Sequence, residues 1–338
     1  RNRIADKLQA GYREVEKKVK PKKSAEETAA QRAPHEPFLQ AIIEADEDDL
    51  TPHLIYSDWL TERGDPLGEF IQVQIQLEDR NLPFYRRPEL QRRESQLLAR
   101  NVRQWLGDLA PYLIDQRFRG ENYRGGNTNF SFEFRRGQLA SIGAQFVEKT
   151  FGETLKASWR CPLLRELAIG SASPFTEMVT ISQVGHIIPN SHGLANLSAA
   201  PFASLRTLRL HTHIWQQYAK YEMHPVLAVL ETAAVVHELE YSGFFDATMF
   251  APHLPQLKSL RLMNSVATLE AELFLQSGLL RQLRTLDLPG GITIDAAEIL
   301  ASDHAVELRE LILPQDRTAP DTISVLKSAG IPVRFDIC

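Results

Sequence analysis

The chain has 338 residues, 43% of them hydrophobic and 24% charged, with a formal net charge of -5 at pH 7. These proportions exclude bulk disorder and a fibrous fold, and the length leaves room for two or three domains. No global basic field is present to wrap a nucleic acid, and two cysteines in so long a chain make neither a disulfide framework nor a zinc signature, which points to a reducing cytoplasm.

Residues 1–17 are expected to form a helix, with Ile4, Leu8 and Val15 at helical spacing. Arg1 in place of Met points to a fragment or a processed product. Residues 18–36 are rich in Lys, Glu, Ala and Pro and are expected to be a linker open to proteases. From 37 to 115 the patterns are helical and predict an all-α module. Phe38, Ile42 and Ile43 make one apolar face. Thr51 with Pro52 is expected to cap the next helix, with Leu54, Ile55, Trp59 and Leu60 as its stripe until Gly64 and Pro66 stop it. Phe70, Val73 and Leu77 mark a third helix, and Leu90, Leu97, Leu98 and Trp105 a fourth. The apolar stretch from Val226 to Val236 is broken by Glu231 and is too short for a membrane span.

At "GENYRGGN", near Gly120, the pattern changes, and Phe130, Phe132 and Phe134 alternate with polar residues as a strand with one buried face does. One unit then recurs: Leu164-Arg-Glu-Leu167-Ala-Ile169, Leu205-Arg-Thr-Leu208-Arg-Leu210, Val236-His-Glu-Leu239-Glu-Tyr241, Leu257-Lys-Ser-Leu260-Arg-Leu262, Leu283-Arg-Thr-Leu286-Asp-Leu288 and Leu308-Arg-Glu-Leu311-Ile-Leu313. The spacing from Val236 onward is that of leucine-rich repeats, in which each copy contributes one parallel strand and a returning helix or turn. "IDAAEILASD" and "APDTISVLKSAG" fit the returning helices, and Val333 to Phe335 the closing strand. No asparagine ladder is present: the positions where the repeat consensus has Asn hold Ala172, His213, Phe244, Ser265, Gly291 and Asp316. The fold class expected is therefore α/β: an N-terminal all-α helical module, then, over 128–338, an irregular leucine-rich-repeat solenoid with a parallel sheet.

The stretch "FLQAIIEADEDDLTPHLIYSDWLTERGDPLGEFIQVQIQLE" resembles the bacterial repeat-companion domain, over about residues 37–110. Tyr56, Asp58, Trp59, Leu60, Glu62 to Pro66, then Glu69, Phe70 and Ile71 fall on that family's pattern, with His53 where the family usually has Arg. "FEFRRGQLASI", from Phe132 to Ile142, is similar to the junction through which the same family passes into degenerate leucine-rich repeats, with Gln138 in place of an aromatic residue. Residues 1–16 look like the last helix of a WGR domain, which implies a truncated upstream module. What the resemblance implies is architecture, because the family's biochemical role is poorly defined.

Catalytic motifs are absent: there is no glycine-rich phosphate loop, HExxH, GxSxG or CxxC. His211, His213 and His224 invite a metal reading, against which they read as ordinary residues of the loop after the Leu205 unit. Cys161, just before a strand, is expected to be a buried, inert thiol. Asp58 and Glu69 invite a paired-carboxylate reading, against which Asp58 and Arg63 are expected to tie turns together. Trp59 and Trp105 are expected in the core, and the acidic run 46–49 is expected to be a solvated helix end.

In L-x-x-L-x-L the apolar positions point inward and the residue between the last two points out. Those positions read Ala168, Arg209, Glu240, Arg261, Asp287 and Ile312, so Arg209, Glu240, Arg261 and Asp287 are expected to form a ladder of alternating charge. The expected function is a non-catalytic protein-interaction scaffold, without cofactor, binding a protein partner through these four residues together with Trp215 and Tyr218. The alternative is a nucleic-acid-associated or protease-released effector acting through Lys17, Lys18, Lys20, Lys22 and Lys23 and the missing WGR domain.

Overall fold

In a computed structural model, the chain is mixed α/β, and its described strands form one nine-stranded sheet. The structure describes residues 32–115, 130–144, 149–170, 197, 200, 202–211, 219–243, 245–263, 271–302 and 308–336. The chain divides into two compact units, Arg1–Pro111 and Tyr112–Cys338. The division falls earlier than residue 115 because Tyr112 belongs to the second unit: its ring packs edge-on to Phe151 with centroids 5.4 Å apart. Among the described residues no helix is long and apolar enough to cross a membrane.

In the first unit the described elements are helices: α1 Glu36–Glu44, α2 Thr51–Glu62, α3 Pro66–Glu78 and α4 Arg87–Leu106. The expected helix over 1–17 and most of the expected linker lie outside the described residues. Of the linker's last residues, 33–35 are a turn and Glu36 opens α1, with Arg32 and Glu36 joined by an ion pair across the turn.

Two expectations for α2 are corrected. Thr51 is the first helical residue rather than the cap; Leu50 precedes the helix without a side-chain bond, and Asp49 accepts from the Thr51 amide at 2.9 Å. The last acid of the run 46–49 therefore satisfies one of the helix's free N–H groups. The buried face is His53, Tyr56, Ser57 and Leu60, the i, i+3, i+4, i+7 set, while Leu54 and Ile55 are 42% and 55% exposed. Ser57 holds a core position because a tertiary hydrogen bond satisfies it: its Oγ donates to the Gly68 carbonyl at 2.9 Å. Helices α2 and α3 touch at that point. A Cβ on Gly68 would lie 2.6 Å from the Ser57 carbonyl oxygen and 2.5 Å from Thr61 Oγ1, so only glycine permits the approach. Asp65 caps α3 by accepting from the Leu67 amide, with Pro66 at the first turn. Phe70 and Trp105 pack with centroids 4.6 Å apart at the centre of the unit.

The second unit carries β1 Phe130–Arg135, β2 Gln138–Ala144, β3 Glu166–Ile169, β4 Thr207–His211, β5 Glu238–Ser242, β6 Ser259–Leu262, β7 Thr285–Asp287, β8 Glu310–Pro314 and β9 Val333–Asp336, in that spatial order. Strands β1 and β2 form an antiparallel hairpin, and every later pair is parallel. The hairpin turns on Arg136 and Gly137, with φ 49° and 73°; a two-residue turn with both φ positive matches the twist of the paired strands. That second strand was not anticipated.

The parallel strands stack without slippage. Ile142, Leu167, Leu208, Leu239, Leu260, Leu286, Leu311 and Val333 occupy one row, and the leucines in it are at most 2% exposed. Each is worth about 1.5–3 kcal/mol of burial, and a slip of one residue would turn the whole row outward. Between strands lie helices α5 Lys149–Ala157, α6 Ala219–Thr232, α7 Ala271–Ser277, α8 Ile294–Ala301 and α9 Pro320–Ser328. Their buried residues, among them Phe151, Val229, Leu230, Phe274, Leu300 and Leu326, complete the core. Helix α8 is capped by Thr293, whose side chain accepts from the Ala296 amide, and α9 opens on Pro320.

Candidate functional site

The sheet face opposite the leucine row carries the expected charges in register. Ala168 pairs with Arg209, Arg209 with Glu240, Glu240 with Arg261, Arg261 with Asp287, Asp287 with Ile312 and Ile312 with Arg334. Arg209 sits between two carboxylates: its Nη1 bonds Glu166, and its Nε lies 3.7 Å from Glu240 Oε2. Arg261 Nε lies 3.3 Å from Asp287 Oδ2 without the alignment of a hydrogen bond. Arg334 reaches Glu310 at 3.0 Å.

Glu240 is the centre of this arrangement. The His211 imidazole, 3.1 Å away, donates to it and, with Arg261 and Arg209 nearby, holds its carboxyl below the usual carboxylate range. Asp287 goes the other way: burial pushes its carboxyl up, reinforced by Asp336 and Glu240, against the pull of Arg261 and Arg334. Neighbouring acids on one strip are thus driven in opposite directions: the hydrogen bond from His211 outweighs burial at Glu240, whereas burial prevails at Asp287.

His211 is not a loop residue, as expected from sequence, but the last residue of β4 and 5% exposed. Its place follows from the strand's parity, which puts Thr207, Arg209 and His211 on one face. The strand end is tightly packed, since a Cβ on Gly170 would lie 2.2 Å from the His211 carbonyl oxygen and Gly170 has φ 91°. His213 and His224 lie outside the described residues and side chains, as do Trp215, Tyr218 and the lysines 17, 18, 20, 22 and 23.

The other candidates separate. Glu69 receives both Nε and Nη2 of Arg93, at 2.5 and 2.6 Å, and that bond holds its carboxyl below the usual range, the opposite of an acid kept protonated. Asp58 is exposed and meets only Gln72, at 3.4 Å, among the described residues. Arg63 bonds the Trp59 carbonyl at 3.2 Å and lies over the Trp59 ring at 4.0 Å. The turn that Asp58 and Arg63 were expected to tie is instead held by Asp65. Trp105 is in the core, whereas Trp59 is half-buried in a cluster with His35, Phe38 and Tyr56. Cys161 is buried, and burial pushes its thiol up to about 12, so thiolate at neutral pH is negligible.

One feature of the repeats went unread. The residue after the first apolar position is basic in every copy: Arg165, Arg206, His237, Lys258, Arg284 and Arg309. Their backbones form one column at the entrance to the strands. Arg206 N donates to Arg165 O, His237 to Arg206, Lys258 to His237, Arg284 to Lys258 and Arg309 to Arg284, all within 2.7 to 2.8 Å. The signal lay in plain text, in a position that the L-x-x-L-x-L template discards.

The fold and this surface define a mixed α/β protein with a charged, strictly registered sheet face. Comparison with known proteins finds no matching family model, no matching curated protein and no matching solved structure.

Proposed function

We propose that the chain is a non-catalytic interaction scaffold of the cytoplasm. In this reading a helical module of the repeat-companion type precedes an irregular leucine-rich-repeat solenoid, and the open face of the sheet is presented to a protein partner without a cofactor. The observation that carries it is the run Arg209, Glu240, Arg261 and Asp287, held in register on four adjacent strands. Strands about 4.8 Å apart make a rigid ruler of alternating sign, and such a pattern selects a partner by complementarity and suits a polyphosphate poorly.

A photo-crosslinking residue at Ser259, on the open face, tests this in the cells that natively express the protein. A discrete protein adduct is expected from Ser259, none from Ser324 on the exposed side of α9, and loss of the adduct in Glu240→Arg/Arg261→Glu. Absence of any adduct at Ser259, or turnover by the purified chain that a single polar substitution abolishes, ends the reading.

A further inference from the structure

From the column of basic residues at the strand entrances we infer that the protein holds an acidic polypeptide segment laid across β3 to β8, an inference that rests on the scaffold reading and names the chemistry of the partner. Arg165, Arg206, His237, Lys258, Arg284 and Arg309 are stacked through consecutive backbone hydrogen bonds, which sets neighbours about 4.8 Å apart. All six side chains are exposed or half-buried, so no core requirement selects them. With 38 Lys or Arg and 10 His in 338 residues, a basic residue at all six positions is not an accident of composition.

Like charges placed directly opposite one another on a sheet destabilise it. At three of the six positions no ion pair among the described residues offsets that cost. The ion pairs of the sheet, Arg209 with Glu166 and Glu240, Arg261 with Asp287 and Arg334 with Glu310, join other residues and leave Lys258, Arg284 and Arg309 without one among the described residues. Arg206 is spent on the Val235 carbonyl at 3.2 Å, and His237 meets Gln256 at 3.1 Å. The unneutralised end of the column is therefore Lys258, Arg284 and Arg309, on three adjacent strands.

The neighbouring column decides between polyanions. It reads Glu166, Thr207, Glu238, Ser259, Thr285 and Glu310, three carboxylates and three hydroxyls. A continuous phosphate backbone would meet those carboxylates, and neither column offers an aromatic ring on which a base stacks. An acidic peptide carries its carboxylates on side chains, which reach the basic column at the strand entrances without its backbone lying over the second column, whose Glu166 and Glu310 already pair with Arg209 and Arg334; a phosphate backbone carries its charge in the chain itself.

The test uses the full chain with fluorescein-labelled poly-L-glutamate. Binding is expected at low salt, weakening as salt is raised, and about tenfold weaker in Lys258→Gln/Arg284→Gln/Arg309→Gln. The control Arg92→Gln/Arg100→Gln, on α4, is expected to bind as the parent does. The triple variant is expected to melt at or above the parent temperature, because stacked like charges are removed; a clear fall would assign the three residues a structural role and overturn the inference. Arg284→Glu/Arg309→Glu is expected to bind poly-L-lysine where the parent does not. No binding of poly-L-glutamate, equal binding by the triple variant, or tighter binding of oligo(dT) through the same three residues would each overturn it. A failure confined to these probes, with the Ser259 adduct intact, removes the acidic segment and spares the scaffold; loss of the Ser259 adduct removes the scaffold.

Discussion

Each contact in the unit ending at Pro111 occurs once: Ser57 Oγ with the Gly68 carbonyl, Phe70 against Trp105, Arg93 clasping Glu69. In the unit that follows, one contact is repeated, leucine over leucine from Leu167 to Leu311. A structure built on unique contacts is damaged locally and by amounts peculiar to each site, whereas a stacked row shares its register, so that a fault in one strand is felt by the strands on both sides.

The largest expected effect therefore belongs to the row. Leu286→Asp puts a charge at a position fully out of water, at a cost of about 4 kcal/mol or more. Circular dichroism is expected to show the sheet signal lost while helical signal from the first unit persists. A melt indistinguishable from the parent would contradict the shared row. In the helical unit, Phe70→Ala removes a ring that is entirely buried and is expected to cost about 3–5 kcal/mol, with the sheet's transition unmoved in calorimetry. If both transitions shift together, the contrast between the units fails.

Gly68→Ala sharpens the same contrast. Its Cβ meets the α2 backbone at Ser57 O and Thr61 N as well as the Thr61 side chain, so turning that side chain away is not enough, α2 and α3 must separate, and about 1–3 kcal/mol is expected from overpacking. An unchanged melting temperature would mean that the approach of the two helices is looser than the 2.6 Å contact with Ser57 implies.

How far these features were legible in sequence follows from the same difference. The strands and their charge ladder were readable because period-two alternation and a recurring unit state the register six times over. The α2 face was not, because Leu54 and Ile55 look like core while the positions actually buried include His53 and Ser57; the place of Ser57 depends on the Gly68 carbonyl in another helix, which no local pattern encodes. The hairpin turn was missed because Arg136 is an unusual residue for positive φ. The basic column was missed for the reverse reason: it was perfectly periodic, but in positions treated as filler.

The smallest expected effects lie on the charged strip, where pH separates two acids that otherwise look alike. Glu240 has its folded-state carboxyl held below the ordinary value, so its ion pairs stabilise the fold above the ordinary pKa and that contribution is lost as pH falls through the lowered one. Asp287 is raised, so its contribution is present below the ordinary pKa and is lost as pH rises through the raised one. Glu240→Gln is expected to lower stability at neutral pH by roughly 1 kcal/mol or less and to have little effect in acid. Asp287→Asn, which keeps the shape and removes the poorly hydrated charge, is expected to be neutral or slightly stabilising at pH 7. Melting temperatures of both variants across the acid range read the two slopes. If Asp287→Asn destabilises at neutral pH as much as Glu240→Gln does, the pairing with Arg261 outweighs burial, and the strip is a ladder of equivalent ion pairs instead of one anchored at Glu240.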